Sequence, residues 1–294
     1  MSPLATFLLK NETDLDRIRA FLGQLPHKHR LVDFEERMQI ESIRARVRVW
    51  ERVDQIIALA YVDMFNNLWF EIAPSHAADE LEQAVLNWGL ACIRRQNEET
   101  GDSSTLDFSC DAKDNERLAF AERFGFVRES IHTLKYSCPL AEPPKEFSLP
   151  AGYSIRCATG ESEVDALVAL HRAAFGTENM TVEERLAIMR APGYIPELDL
   201  LAVAPDSSLA AFCVCGFEEG ESTIGYTDPI GVHPRHQKIG LGKAIVSAGL
   251  RALQSRGAKI AELGTSSENI AMQKLAEGLG FICASEKVWF AKAV

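Results

Sequence analysis

Residues 227–243 read Thr-Asp-Pro-Ile-Gly-Val-His-Pro-Arg-His-Gln-Lys-Ile-Gly-Leu-Gly-Lys and bring glycines, cations and histidines into one short stretch. An apolar strand ends at Val232, a loop carrying Pro234, Arg235, His236 and Lys238 follows, and Gly240 and Gly242 open a helix. The first-turn amides of such a helix lack intrahelical acceptors, and the helix dipole favours negative charge beside them, so the arrangement suits a phosphate group. Glycines there remove the Cβ atoms that would hold a ligand away. Just upstream, strand alternation places Tyr226 and Asp228 on one face, a phenol and a carboxylate able to move protons. Glu262, on the strand expected after the glycine helix, is a third ionisable candidate.

The remaining chemistry-bearing residues are more ordinary. Cys213 and Cys215 share one face of an apolar run and read as core rather than as a metal pair, since no second cysteine pair or histidine cluster accompanies them. His27 and His29 read as loop, and no metal site is expected. Seven scattered cysteines, an odd number, fit buried thiols in a reducing compartment. With no signal-peptide pattern and no apolar run long enough to span a bilayer, a cytoplasmic location is expected, with no membrane partner. The net charge of −11 argues against a nucleic-acid partner.

Positioning this loop requires an α+β domain, and the 294 residues allow two. The only proline-rich linker runs over residues 139–152, with Pro139, Pro143, Pro144 and Pro150, so domains are expected at 1–138 and 153–294. In the first half, a helix is expected over 11–23, a hairpin from strands at 55–64 and 68–72, a helix over 79–95, a strand at 106–110, a helix capped by Asp114 and a strand at 130–137. The second half repeats that order: a strand at 153–158, a helix over 161–175, a second helix behind the Thr181/Glu184 capping box, strands at 198–204, 209–217 and 224–232, the glycine helix, a strand at 259–263, a helix from Asn269 and a last strand at 287–291. Glu218–Glu221 reads as the turn between two of those strands.

The repetition extends to residues. Asp114 through Gly125-Phe126 matches Asn269 through Gly280-Phe281 at constant offset, and Pro74-Ser-His matches Pro234-Arg-His. Beyond Pro74, however, Glu80 and Glu82 stand where the second half has Gly240 and Gly242, and carboxylates there repel a pyrophosphate. The first copy is expected to keep the fold and lose the ligand.

Gln237-Lys-Ile-Gly240-Leu-Gly242 resembles the pyrophosphate loop of the GNAT superfamily, the acetyl-CoA-dependent N-acetyltransferases. Val232-x-Pro234 before it, and Asn269, Leu275 and Gly280-Phe281 after it, resemble the rest of that family's pattern. The match is sharp over 153–294 and diffuse over the first half, an arrangement similar to tandem GNAT chains of the mycothiol-synthase type. The resemblance implies a mixed, mostly antiparallel sheet flanked by helices and splayed open around acetyl-CoA. It implies cofactor contacts from Ile230 and Val232 (pantetheine), from Gln237, Lys238, Ile239, Gly240, Leu241, Gly242 and Lys243 (pyrophosphate), and from Asn269 and Met272. The acceptor would be the amine of a small molecule, Asp228 the base and Tyr226 an acid or positioning group, in a monomer or homodimer. Three departures qualify this. Ala276 stands where the family commonly has an acid tyrosine, Met272 where alanine is usual, and Tyr226 near the place of a frequent glutamate base. Asp228 also reads as a bulge cap before Pro229, and Tyr226 as packing. A CoA-binding sensor or partner-binding module that no longer turns over is therefore the alternative function.

Overall fold

The computed structural model describes residues 4–25, 31–76, 79–217 and 223–294; the expected loop at His27–His29 and turn at Glu218–Glu221 lie outside them. Contacts divide the chain into two compact units, Met1–His132 with Glu286–Val294, and Thr133–Ser285. Both are mixed α/β with mostly antiparallel sheets flanked by helices.

The first unit comprises β1 (Ala5–Leu8), α1 (Glu12–Leu22), α2 (Leu31–Arg37), α3 (Glu41–Arg44), β2 (Arg48–Arg52), β3 (Gln55–Val62), β4 (Leu68–Ile72), α4 (Asp79–Thr100), β5 (Leu106–Asp111) and α5 (Asn115–Arg123), and it ends within β6 (Val127–Pro139). Strands β1 to β4 pair in sequence order, all antiparallel. Helix α4 runs about a turn past the expected end at Arg95. An Arg95–Glu99 ion pair of 2.8 Å lies along its last turns, and the side chain of Asn97 bonds Ser104 beyond the helix end.

The second unit holds β7 (Ser154–Cys157), α6 (Val164–Phe175), α7 (Val182–Arg190), β8 (Asp199–Val203), β9 (Leu209–Phe217), β10 (Ile224–Val232), α8 (Leu241–Ser255), β11 (Ile260–Ser266) and α9 (Ile270–Glu277). Thr181 and Glu184 form the predicted capping box of α7, with N–H···O distances of 3.1 and 2.7 Å. The strand order is β7-β8-β9-β10-β11, and Thr133–Pro139 of β6 pairs antiparallel with β11.

The chain's last strand, β12 (Ile282–Lys292), pairs through Lys287–Lys292 with β5 and so completes the first unit. Burial explains this placement. Val288 and Phe290 are 1 % and 7 % exposed within the first unit's aromatic core, where Phe290 lies 6.1 Å from Phe108 and Phe70 4.7 Å from Phe120. Likewise Tyr136 and Cys138 of β6 are buried in the second unit's core, on the α8 side of its sheet.

Residues 140–152 form no helix or strand, in keeping with their prolines, yet they follow α8 as a strap. Gln254 donates to the carbonyls of Leu140 (2.8 Å) and Glu142 (3.1 Å), and the buried Ser247 hydroxyl donates to that of Lys145.

Candidate functional site

The site grows out of a break in β10. Its antiparallel ladder with β9 runs from Gly225↔Phe217 to Thr227↔Cys215, then shifts register and resumes at Ile230↔Cys213; Asp228 and the cis-linked Pro229 occupy the irregularity. On its other side β10 pairs with β11 in parallel only as far as Tyr226↔Glu262, although the strands continue to Val232 and Ser266. A slot therefore opens between β10 and β11 just where the bulge lies. Backbone amides bordering such a slot can be satisfied by an extended, amide-bearing ligand in place of a strand.

The loop beyond Val232 holds the next group of predicted residues. His233 to His236 form a 3-10 turn, in which His233 Nδ1 accepts from the Arg235 amide at 3.2 Å and His236 Nδ1 meets the Tyr153 hydroxyl at 2.8 Å. Burial, then Arg235 and His236, push the His233 imidazole below its ordinary value. The Gln237 side chain donates back to the Val232 carbonyl at 3.1 Å and braces the loop. Lys238 and Gly240 both adopt positive φ, 64° and 86°, which brings the chain into α8 at a sharp angle.

At the mouth of α8, Gly240 is the N-cap, and a glycine offers no side chain to satisfy the first-turn amides of Leu241, Gly242 and Lys243. No acidic residue lies in this turn. The first unit's α4 is its opposite: Asp79, Glu80 and Glu82 fill the first turn, and Arg123 ties up Asp79 and Glu82 at 2.5 and 2.6 Å. One helix mouth offers uncapped donors, while the other is closed by its own carboxylates.

The two glycines of α8 do different jobs. A Cβ at Gly240 would meet nothing within 4 Å, whereas one at Gly242 would lie 2.9 Å from Leu275 Cδ1 and 3.5 Å from Val232 Cγ2, so Gly242 lets α8 pack closely. The Lys243 ammonium points away from the mouth, toward Gly278 at the end of α9 and to 6.0 Å from the Phe147 ring. Lys243 thus brings an amide to the mouth. Leu241 is buried, leaving only its backbone there, and Ile239 is exposed. Ile230, Val232 and Met272 pack against the α8-side core. Asn269 caps α9 by accepting from the Met272 amide at 3.1 Å.

Register fixes which face each proton-transfer candidate occupies. Ile230, Cys213 and Cys215 face α8, so Phe212, Gly216, Tyr226 and Glu262 face the other side, the one covered by α6 and α7. A Cβ on Gly216 would fall 2.3 Å from the Tyr226 hydroxyl, so the phenol lies flat over β9, on the side of β10 away from the slot. The Asp228 carboxylate lies on the slot side: Oδ2 would be 3.3 Å from a Cβ on Gly264 of β11. Asp228 is exposed and Tyr226 half-buried. Ala276 is fully buried in the core shared with Tyr136 and Leu263.

On the α6 side, His171 stacks between Phe175 and Phe212 with ring centroids at 4.6 and 5.4 Å. Burial, and secondarily Arg185, lower this imidazole to about 4, so it is neutral at physiological pH. Beneath it Asp199, fully buried, pairs with Arg185 and accepts from the Tyr194 hydroxyl at 2.7 Å, which anchors α7 to β8. Gly216 of β9, opposite Tyr226, and Gly264 of β11, opposite Lys135 of β6, were not singled out from the sequence. Their role depends on cross-strand register, which leaves no local signature.

The profile of the acetyltransferase (GNAT) family matches residues 164–281, from the start of α6 to the strand after α9. Those residues form a GNAT domain. Among curated proteins the chain is 36% identical over 179 residues to a mycothiol acetyltransferase of Kineococcus radiotolerans, covering 59% of this chain and 57% of that one. It is 31% identical over 170 residues to one from an Arthrobacter species, covering 55% and 52%. The chain thus spans about half the length of the curated relatives it matches. Among solved structures, a GCN5-related N-acetyltransferase from Sphaerobacter thermophilus aligns with TM-score 0.69 at 18% identity, covering 100% of this chain and 97% of that one. A tandem GNAT protein from the clavulanic acid biosynthesis pathway aligns with TM-score 0.71 at 16% identity, covering 99% and 98%. These likenesses run over both halves and show a tandem GNAT fold. Among the described residues, no helix is long and apolar enough to cross a membrane.

Proposed function

We propose that the GNAT domain binds acetyl-CoA and transfers its acetyl group to the amine of a small molecule, and that the first half, a degenerate copy over 1–138 joined through 139–152 to 153–294, binds no CoA. The observation that carries the reading is the uncapped, acid-free mouth of α8 standing beside the β10–β11 slot. The two features together suit the two ends of one ligand: the slot an extended arm with amide groups, and the helix mouth a pyrophosphate. The amides of Leu241, Gly242 and Lys243 and the cations Arg235 and Lys238 would hold the phosphates, and the backbone of Ile230 and Val232 the arm, with Asn269 and Met272 at the start of α9 bordering it.

When bound, acetyl-CoA supplies a thioester carbonyl for the amine to attack, with cleavage of the C–S bond. Asp228 faces the slot and takes the proton that the acceptor's ammonium must lose before the neutral amine can attack. Tyr226, turned over β9, acts as a wall of the acceptor pocket or through a water, and solvent protonates the departing thiolate. Seven free thiols support a reducing, cytoplasmic setting.

A second reading, a CoA-binding module without turnover, is favoured by one observation: position 276 is filled by a fully buried alanine, which offers the leaving group no hydroxyl. Thiol release from acetyl-CoA over a panel of small amines separates the two. Acetyl transfer predicts amine-dependent release that Asp228→Asn suppresses, whereas tight CoA binding with no release for any amine supports the module.

A further inference from the structure

The strap over residues 140–152 does more than follow α8. Lys243, Ser247, Arg251 and Gln254 are spaced three and four apart and so form one stripe along the helix. Each of the four meets the strap. Gln254 holds the carbonyls of Leu140 and Glu142, Arg251 pairs with Glu146 at 3.5 Å, Ser247 bonds the carbonyl of Lys145, and Lys243 lies beside the Phe147 ring. The strap therefore climbs from the end of α8 to its mouth. Just past it, Tyr153 meets His236 in the loop that leads into the mouth.

Two cations gather where the strap reaches the first turn. The ammonium groups of Lys145 and Lys243 lie 5.3 and 6.0 Å from the centre of the same half-buried Phe147 ring. The Lys243 ammonium also rests at the carboxyl end of α9, since a Cβ on Gly278 would be 3.0 Å from it and 3.1 Å from the Lys274 carbonyl oxygen. A helix end offsets only about half a charge. Among the described residues, the carboxylates beside these groups are engaged elsewhere, Glu146 with Arg251 and Glu277 with the Tyr136 hydroxyl. The place keeps a net positive charge.

We propose that Lys243 and Lys145, gathered by the strap around Phe147, form the subsite for the 3′-phosphate on the nucleotide end of CoA. The proposal rests on the reading that CoA binds at the mouth of α8. The slot takes the arm and the mouth the pyrophosphate, so the nucleotide end has to leave the mouth over the protein surface. Lys243 links the two places, with its amide at the mouth and its ammonium beside the strap. A phosphate monoester carries a charge of about −1.5 to −2 at pH 7, and between the two ammonium groups it replaces their mutual repulsion with charge-assisted contacts.

The experiment titrates CoA and dephospho-CoA, which lacks only the 3′-phosphate, into the full chain by calorimetry at one salt concentration. A charge-assisted contact from the half-buried Lys243, helped by the exposed and more screened Lys145, predicts CoA bound about tenfold more tightly. In the double variant Lys145→Met/Lys243→Met the ratio should fall below about threefold, whereas Lys145→Arg/Lys243→Arg keeps it. Lys238→Met, in the loop before the mouth, should weaken both ligands alike. A wild-type ratio below about threefold overturns the proposal. So does a ratio that survives in the double methionine variant, shown folded by circular dichroism, or one that collapses in Lys238→Met. If neither ligand binds, the CoA reading itself fails. Adenosine 3′,5′-bisphosphate against adenosine 5′-monophosphate then decides the subsite alone, and the absence of a preference for the bisphosphate overturns it.

Discussion

Phe290 is followed by four residues in the sequence, yet the first unit depends on it. Its ring is 7 % exposed, pairs across the ladder with Phe108, and packs in the cluster that includes Phe70, Phe120 and Phe126. Truncating a buried phenylalanine to alanine costs about 3–5 kcal/mol, transfer and cavity terms together. Against a unit stability of roughly 5–15 kcal/mol this is a large share, and it corresponds to a midpoint drop of about 10–20 °C. The assay is selective by composition. All four tryptophans, Trp50, Trp69, Trp88 and Trp289, belong to the first unit, so intrinsic tryptophan fluorescence follows that unit's melting alone. Phe290→Ala should shift the fluorescence transition by the stated amount. A shift under about 3 °C would mean the last strand contributes little to the first unit, and the strand assignment would fall.

Further outcomes follow from the site. Asp228→Asn should lower thiol release at least tenfold while changing CoA affinity less than twofold, as calorimetry can check; these are order-of-magnitude expectations for losing a general base, roughly 10²–10⁴ in rate. Ala276→Tyr should not raise turnover. With no accessible space at 276, the ring overpacks the core and lowers stability in urea by about 1–3 kcal/mol or more. His171 is neutral in the folded protein and titrates near its ordinary value when unfolded, so the unfolded state takes up more protons between about pH 6.5 and 4. Stability should therefore fall as pH drops through that window, and His171→Phe should flatten that part of the profile in urea titrations.

The order of elements in the second half, the capping box at Thr181, the caps at Asp114 and Asn269 and the glycine turn into α8 were readable from residue types, because each depends on contacts a few residues away, whereas β1, α2, α3 and β2 of the first unit were not expected. The duplicated architecture was readable too, as was the contrast between Glu80 and Gly240, since charge at a helix mouth is a local property. What escaped depends on pairing between distant segments. Nothing in Lys287–Lys292 announces that it will join β5, and nothing in Thr133–Pro139 points to β11. The direction of the Tyr226 phenol was also hidden, because it is set by the missing Cβ of Gly216 on another strand. Alternation alone put Tyr226 and Asp228 together, whereas the bulge sends their polar ends to opposite sides of β10. For the same reason Gly242 looked like a ligand-facing glycine until its contact with Leu275 showed a packing role.

Calorimetric titration of CoA into the wild type and Gly240→Glu tests most directly whether CoA binds at the mouth of α8. The substitution copies the charge found at Glu80, into a position where a side chain meets open space, though at a positive φ that costs about 1–2 kcal/mol. Wild-type protein should bind CoA at one site, and Gly240→Glu, still folded by circular dichroism, should lose that binding by a hundredfold or more, on the order of 3 kcal/mol. Unchanged affinity in the folded variant would place the CoA site elsewhere and contradict the account.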